Sequence, residues 1–269
     1  MRTWTNMAWP DDPYRTGQQL YRRPAGRLAA FTTWPTVAGG RAVPLTTAIV
    51  YLPLDRSKPV SVTGQTLAFG FRAVSADDPA ELPAVAAVAD LDLMQARRHA
   101  AVIAGYHLGQ DLTALRQAGG VTVRRGLAAV ADDWADRSPA AGRAALVDCD
   151  LDLPGAGLPM GQACQQSGIS PTRTGAAGRG ASHPATLAVE RALVIALLCA
   201  RHQGRYEWDG VLDTGEVMAA ATWDCLPWPE STARSVPAGY GIPPTGVGAA
   251  LPAAAGQRQR RWAARRRSP

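Results

Sequence analysis

Asp111 follows a short apolar run at 100–103 and opens what reads as a helix over 111–117. A carboxylate delivered to a strand-to-helix junction can ligate a hard divalent cation such as Mg²⁺ or Mn²⁺, and a cation so held can activate water or stabilise a leaving oxygen. His183 heads a long apolar stretch, 184–202, so Asp111 and His183 are the candidate catalytic residues and Asp111 the candidate metal ligand. Asp148, Asp150 and Asp152 alternate, which on a strand sets them on one face and in a turn leaves them solvated. Arg258, Arg260, Arg261, Arg265, Arg266 and Arg267, with Trp262 among them, are the candidate nucleic-acid contacts. Guanidinium groups neutralise phosphates and an indole stacks on bases. Each feature also has a plain structural role: Asp111 and His183 as helix caps, and the terminal charge run as a solvated end.

The elements that must carry these groups are legible in part. Residues 45–54 are β-branched and apolar, and 60–74 alternate enough for one long strand or two short ones. With the polar turn at 55–59 between them they suggest a hairpin. Asp77, Asp78 and Pro79 mark the start of a helix over 80–89, extending toward 99. A strand at 100–104, the 111–117 helix ended by Gly119 and Gly120, a short helix at 127–134, a strand at 144–147 and a helix at 161–167 come next. A Gly, Ser, Thr and Arg-rich loop over 170–182 then leads to His183 and the 184–202 helix. Early strands followed by alternation predict an α/β fold with a mixed sheet and flanking helices. Residues 1–30 show no period and read as a loosely ordered lead, and 229–269, rich in Pro, Gly and Ala and then in Arg, as a disordered tail. That leaves one α/β domain over 31–228.

Charge narrows the partners. The net charge of +6 is concentrated at the ends: residues 256–269 hold six Arg and no acid, 1–27 hold five Arg and two Asp, and 28–255 are left at −3. Nucleic-acid affinity is therefore expected of the tail or a local patch rather than of the whole body. Cys149, Cys164, Cys199 and Cys225 form no Cys-x-x-Cys pair and read as reduced thiols. The first thirty residues do not resemble a secretion signal, and the longest apolar run, 192–200, is too short to span a bilayer. A cytoplasmic protein without a membrane partner is the expectation.

Three stretches carry a family resemblance. Residues 103–115, from Ile103 through Gly105-Tyr-His-Leu-Gly-Gln-Asp111 to Leu115, resemble the second motif of the DEDD-type 3'-5' exonucleases, a branch of the ribonuclease H-like fold. Asp111 matches that family's metal-binding Asp, and His107 stands where a polar residue is common. Ala145-Leu-Val-Asp-Cys149 with Leu158-Pro-Met-Gly-Gln-Ala-Cys164 is similar to the segment in which a strand ends in a structural Asp, here Asp148. His183-Pro-Ala-Thr-Leu-Ala188 resembles the third motif, in which the last metal-binding Asp falls where this chain has Ala188.

The resemblance covers about 45–226 and implies a ribonuclease H-like sheet and a two-metal site. Its first motif, Asp-x-Glu on the opening strand, is expected within 45–55, which holds no carboxylate before Asp55. One Asp and one His cannot hold two cations a few ångströms apart. The expectation is a degenerate exonuclease-like protein that associates with DNA or RNA and has weak or absent metal-dependent activity, unless Asp90, Asp92 or Glu190 rebuild a site around Asp111. The alternative is a noncatalytic module of the same fold that binds a partner protein.

Overall fold

The chain enters a sheet within its first residues. In the computed structural model, which describes residues 1–7, 26–38, 41–55, 58–120, 125–136, 143–154, 156–171, 183–222 and 225–227, strand β1 (Arg2–Thr5) pairs antiparallel with a strand near residue 70. No strand was expected there. The reason is that β1 is an edge strand with no buried residue, so it shows none of the apolar alternation that marks a half-buried strand.

A second strand also starts inside the expected lead. β2 (Arg27–Ala38) and β3 (Arg41–Pro53) form a long antiparallel hairpin, Arg27 facing Pro53 and Ala38 facing Arg41. The register shifts between Trp34 and Thr36, where Pro35 has no N–H to give to the ladder. The opening of β2 is buried on both faces, with Leu28, Ala29, Ala30 and Phe31 all enclosed. Such a strand has no alternation to read.

β4 (Val60–Ser61) is a short strand, and β5 (Gly70–Ser75) pairs antiparallel with β3. A 3-10 turn at Pro79–Glu81, capped by the Asp78 side chain accepting from the Ala80 N–H, leads into α1 (Leu82–His99). β6 (Val102–Gly105) then lies parallel to β2, followed by α2 (Leu108–Ala118), α3 (Arg125–Asp136) and β7 (Ala145–Asp148), which is parallel to β6. α4 (Met160–Gln166) and β8 (Ile169–Ser170) precede α5 (Pro184–His202). β9 (Tyr206–Glu207), β10 (Leu212–Asp213) and α6 (Thr214–Thr222) follow, where no element was expected. β9 pairs with β4 and β10 with β8, two residues each.

The main sheet is thus mixed, six strands in the order β1-β5-β3-β2-β6-β7. Alternation along β2 divides the core. Leu28 and Ala30 pack with Val189, Leu193 and Leu197 of α5, while Ala29 and Phe31 pack with Leu93 of α1 and with Leu108, Leu112 and Leu115 of α2. α5 is enclosed on nearly every side, which explains its continuous apolar sequence. All these residues belong to one compact unit, Met1–Arg234. The tail residues Arg258, Arg260, Arg261, Trp262, Arg265, Arg266 and Arg267, and most of the 170–182 loop, lie outside the described residues. Among the described residues no helix is long and apolar enough to cross a membrane.

Candidate functional site

Asp111 lies in the first turn of α2 rather than at its cap. The turn is built on His107, which has the left-handed backbone (φ 62°, ψ 42°) that a side chain seldom adopts. Asp148 holds that turn. Its Oδ1 accepts from the His107 N–H at 3.0 Å and from the Asp150 N–H at 3.1 Å, and its Oδ2 accepts from the Leu108 N–H at 2.9 Å. These contacts satisfy backbone donors that a helix start leaves open. β7 ends at Asp148, so Asp150 and Asp152 sit in the turn beyond it instead of sharing a strand face. Asp152 accepts from the Asp148 N–H, and Asp150 lies 3.3 Å from His107 Nδ1.

Held this way, the Asp111 side chain points to β2. The parallel register of β2 with β6 runs from Leu28 opposite Val102 to Ala30 opposite Ala104. Past that point β6 no longer pairs with β2, its last residue Gly105 facing Asp148 of β7, and β2 runs on. Asp111 closes the gap: its Oδ2 accepts from the Thr33 N–H at 3.2 Å and its Oδ1 from the Thr33 hydroxyl at 2.6 Å. Burial pushes its carboxyl up to about 6, against the opposing pull of the Thr33 hydrogen bonds, the positive charge of Arg191 and the Thr32 hydroxyl.

Arg191 approaches from α5, on the other face of the sheet. Its Nε donates to Thr32 Oγ1 at 3.0 Å. Burial lowers its affinity for the proton, and the charges of Asp111 and Tyr106 restore part of it. Thr32 Oγ1 accepts from the cation of α5, and the Thr33 hydroxyl donates to the anion of α2.

His183 occupies a different neighbourhood. It is the N-cap of α5, its Nδ1 accepting from the Ala185 N–H at 3.2 Å, and its ring meets Trp4 of β1 edge-on at 4.9 Å between centroids. Burial lowers its pKa. Eight residues of α5 separate it from Arg191, about 12 Å along the axis. Asp111 therefore has Thr32, Thr33 and Arg191 as its neighbours, and His183 has the edge strand.

The other carboxylates considered for the site are engaged elsewhere. Asp90 accepts from the Leu127 N–H at 2.8 Å, at the start of α3. Asp92 pairs with Arg72 at 3.2 Å, and burial raises its carboxyl to about 7 in spite of that partner. Glu190 accepts from the Thr214 hydroxyl at 2.7 Å. Among the described residues no group of three or more His, Cys, Asp or Glu is placed to hold a metal ion.

The strand on which an acidic first motif was expected, 45–55, is the second strand of the hairpin. The strand Asp111 reaches is β2, which carries no carboxylate either. Thr32, Thr33 and Arg191 were not singled out as site residues. Two signals mark them: two hydroxyls directly after the apolar run ending at Phe31, and a cation which, with Glu190 beside it, interrupts the apolar body of α5 well before the basic last turn. One carboxylate, two hydroxyls and a guanidinium do not fit a pair of divalent cations, because the guanidinium has no lone pair to give and repels a second positive charge. No protein-family model, curated protein or solved structure matches the chain.

Proposed function

We propose that this chain is a ribonuclease H-like domain related to the 3'-5' exonucleases that associates with nucleic acid and works without the two-metal reaction. The observation that carries the reading is the meeting of Asp111, the residue that matches the second exonuclease motif, with the central strand β2, with Thr32 and Thr33 in β2 and the Arg191 cation beside them. The sheet order supports it. A three-strand antiparallel meander (β2, β3, β5) with two parallel strands (β6, β7) added beside the first strand is the arrangement expected of a ribonuclease H-like sheet.

In this reading the body offers Arg191 beside β2, just past the last residue that β2 pairs with β6, and the tail from Arg258 to Arg267 supplies a sequence-indifferent phosphate attraction. Among the described residues no group of three or more His, Cys, Asp or Glu offers Mg²⁺ or Mn²⁺ a site. The test is a single-stranded oligonucleotide incubated with the full chain in Mg²⁺ or Mn²⁺, with binding and degradation followed together. Binding without degradation, and no divalent-cation heat in calorimetry, is the expected result. Degradation that disappears in Asp111→Ala would restore an active exonuclease, and absence of any binding would favour the protein-interaction alternative.

A further inference from the structure

Arg191 has more donors than the fold uses. Its Nε–H is committed to Thr32 Oγ1, an acceptor with no exposed surface. Its two Nη groups carry four further N–H donors, and among the described residues they form no hydrogen bond and no ion pair. Asp111 influences Arg191 through its charge without pairing with it, each carboxylate oxygen accepting a hydrogen bond from Thr33. The arginine is half-buried. The Nη groups are not among the buried atoms that lack a partner, so the fork opens on solvent, where an oxyanion with two adjacent acceptors can replace the water on it.

We propose that Arg191 is a phosphate-binding residue: anchored through Nε to Thr32, it presents its paired Nη groups to two oxygens of one phosphate. Fork-to-fork pairing is the strong geometry for this ligand, and arginine is suited to it where lysine is not. Anchoring also fixes the fork before the ligand arrives, so less side-chain freedom is lost on binding. Thr32 directs the cation toward the stretch of β2 that β6 has vacated. The charged and titratable groups around it are Asp111 from α2 and Tyr106 from the end of β6. Asp111, raised by burial to about 6, repels an incoming anion less once it has taken up its proton.

For the source of the phosphate, a nucleic-acid strand, the inference rests on the function proposed above; free phosphate offers the same oxygens. The experiment measures inorganic phosphate and a 5'-phosphorylated single-stranded oligonucleotide against full-length wild type, R191K and R191M, by calorimetry. All three proteins keep the tail, so differences between them report Arg191. Loss of at least about tenfold in phosphate affinity in R191M is expected, since bonds to charged groups are worth that much, with R191K between, having the charge without the fork. Equal phosphate affinity in all three overturns the inference. If R191M does not fold, the Nε–H resonance of Arg191, assigned by its absence in R191K, is followed during phosphate titration of wild type; movement upholds the inference and an unmoved signal at saturation removes it. Phosphate binding that depends on Arg191, together with oligonucleotide binding that is absent, upholds the phosphate site and removes the nucleic-acid reading.

Discussion

Thr33 holds both oxygens of Asp111, its hydroxyl donating to Oδ1 at 2.6 Å and its backbone N–H to Oδ2 at 3.2 Å. A carboxylate from α2 thereby does for β2 what the next residue of β6 would have done, had β6 continued. Asp111 is consequently part of the sheet's hydrogen bonding as well as of the site, and the two roles can be separated by substitution.

Thr33→Val keeps the shape of the side chain and removes its hydroxyl. The expected cost is roughly 1.5–3 kcal/mol, the value of a hydrogen bond to a charged group, read by urea denaturation. The Asp111 carboxyl should also titrate at higher pH, because one of the groups holding it down is gone. An unchanged carboxyl pKa by carbon NMR would show that the hydroxyl does not hold the charge.

Asp148 is buried and accepts from three backbone N–H groups, those of His107, Leu108 and Asp150. Asp148→Ala leaves them without that acceptor, and roughly 3 kcal/mol or more of stability should be lost. Hydrogen exchange at the start of α2 should accelerate before that of α5. Uniform acceleration across both helices would mean that Asp148 does not act locally.

His183 caps α5 and packs on Trp4. His183→Ala should cost about 1 kcal/mol, as loss of an N-cap usually does, and leave oligonucleotide affinity within about twofold. A larger loss of affinity at unchanged stability would put His183 in the binding surface.

The Asp92 carboxyl, raised by burial to about 7 from an ordinary 3.8, favours its protonated form in the fold. The stability it contributes is fully present below about pH 4 and is lost as pH rises through 7, on the order of 4 kcal/mol across that window. Asp111 acts in the same direction, with its loss centred near pH 6. Melting temperatures should therefore be higher at pH 5.5 than at pH 8, and Asp92→Asn should flatten the difference. In the substituted protein Arg72 has no Asp92 counter-charge at any pH, so the slope is the readout. A slope identical to wild type would disprove the assignment to Asp92.

The sequence by itself determined the elements whose burial is one-sided or whose ends are chemically marked. β3, α1, α2, α3, β7, α4 and the 184–202 helix lie within a few residues of where periodicity, Asp78, the Gly119-Gly120 stop and Pro184 predict them. Local preferences are enough there, because caps and turns act between neighbours in the chain. It also showed that Asp111 follows a strand, and that residues 45–54 lack a carboxylate. The tertiary structure decided the rest. β1 is recognisable as a strand through its partner β5, and β2, enclosed by helices on both faces, has no alternation to reveal it. For the same reason the partners of Asp111 were hidden: Thr33 is 78 residues away from it and Arg191 is 159 away from Thr32. Pairings at such separations are set by which strands lie side by side, a relation that no local pattern in the chain records.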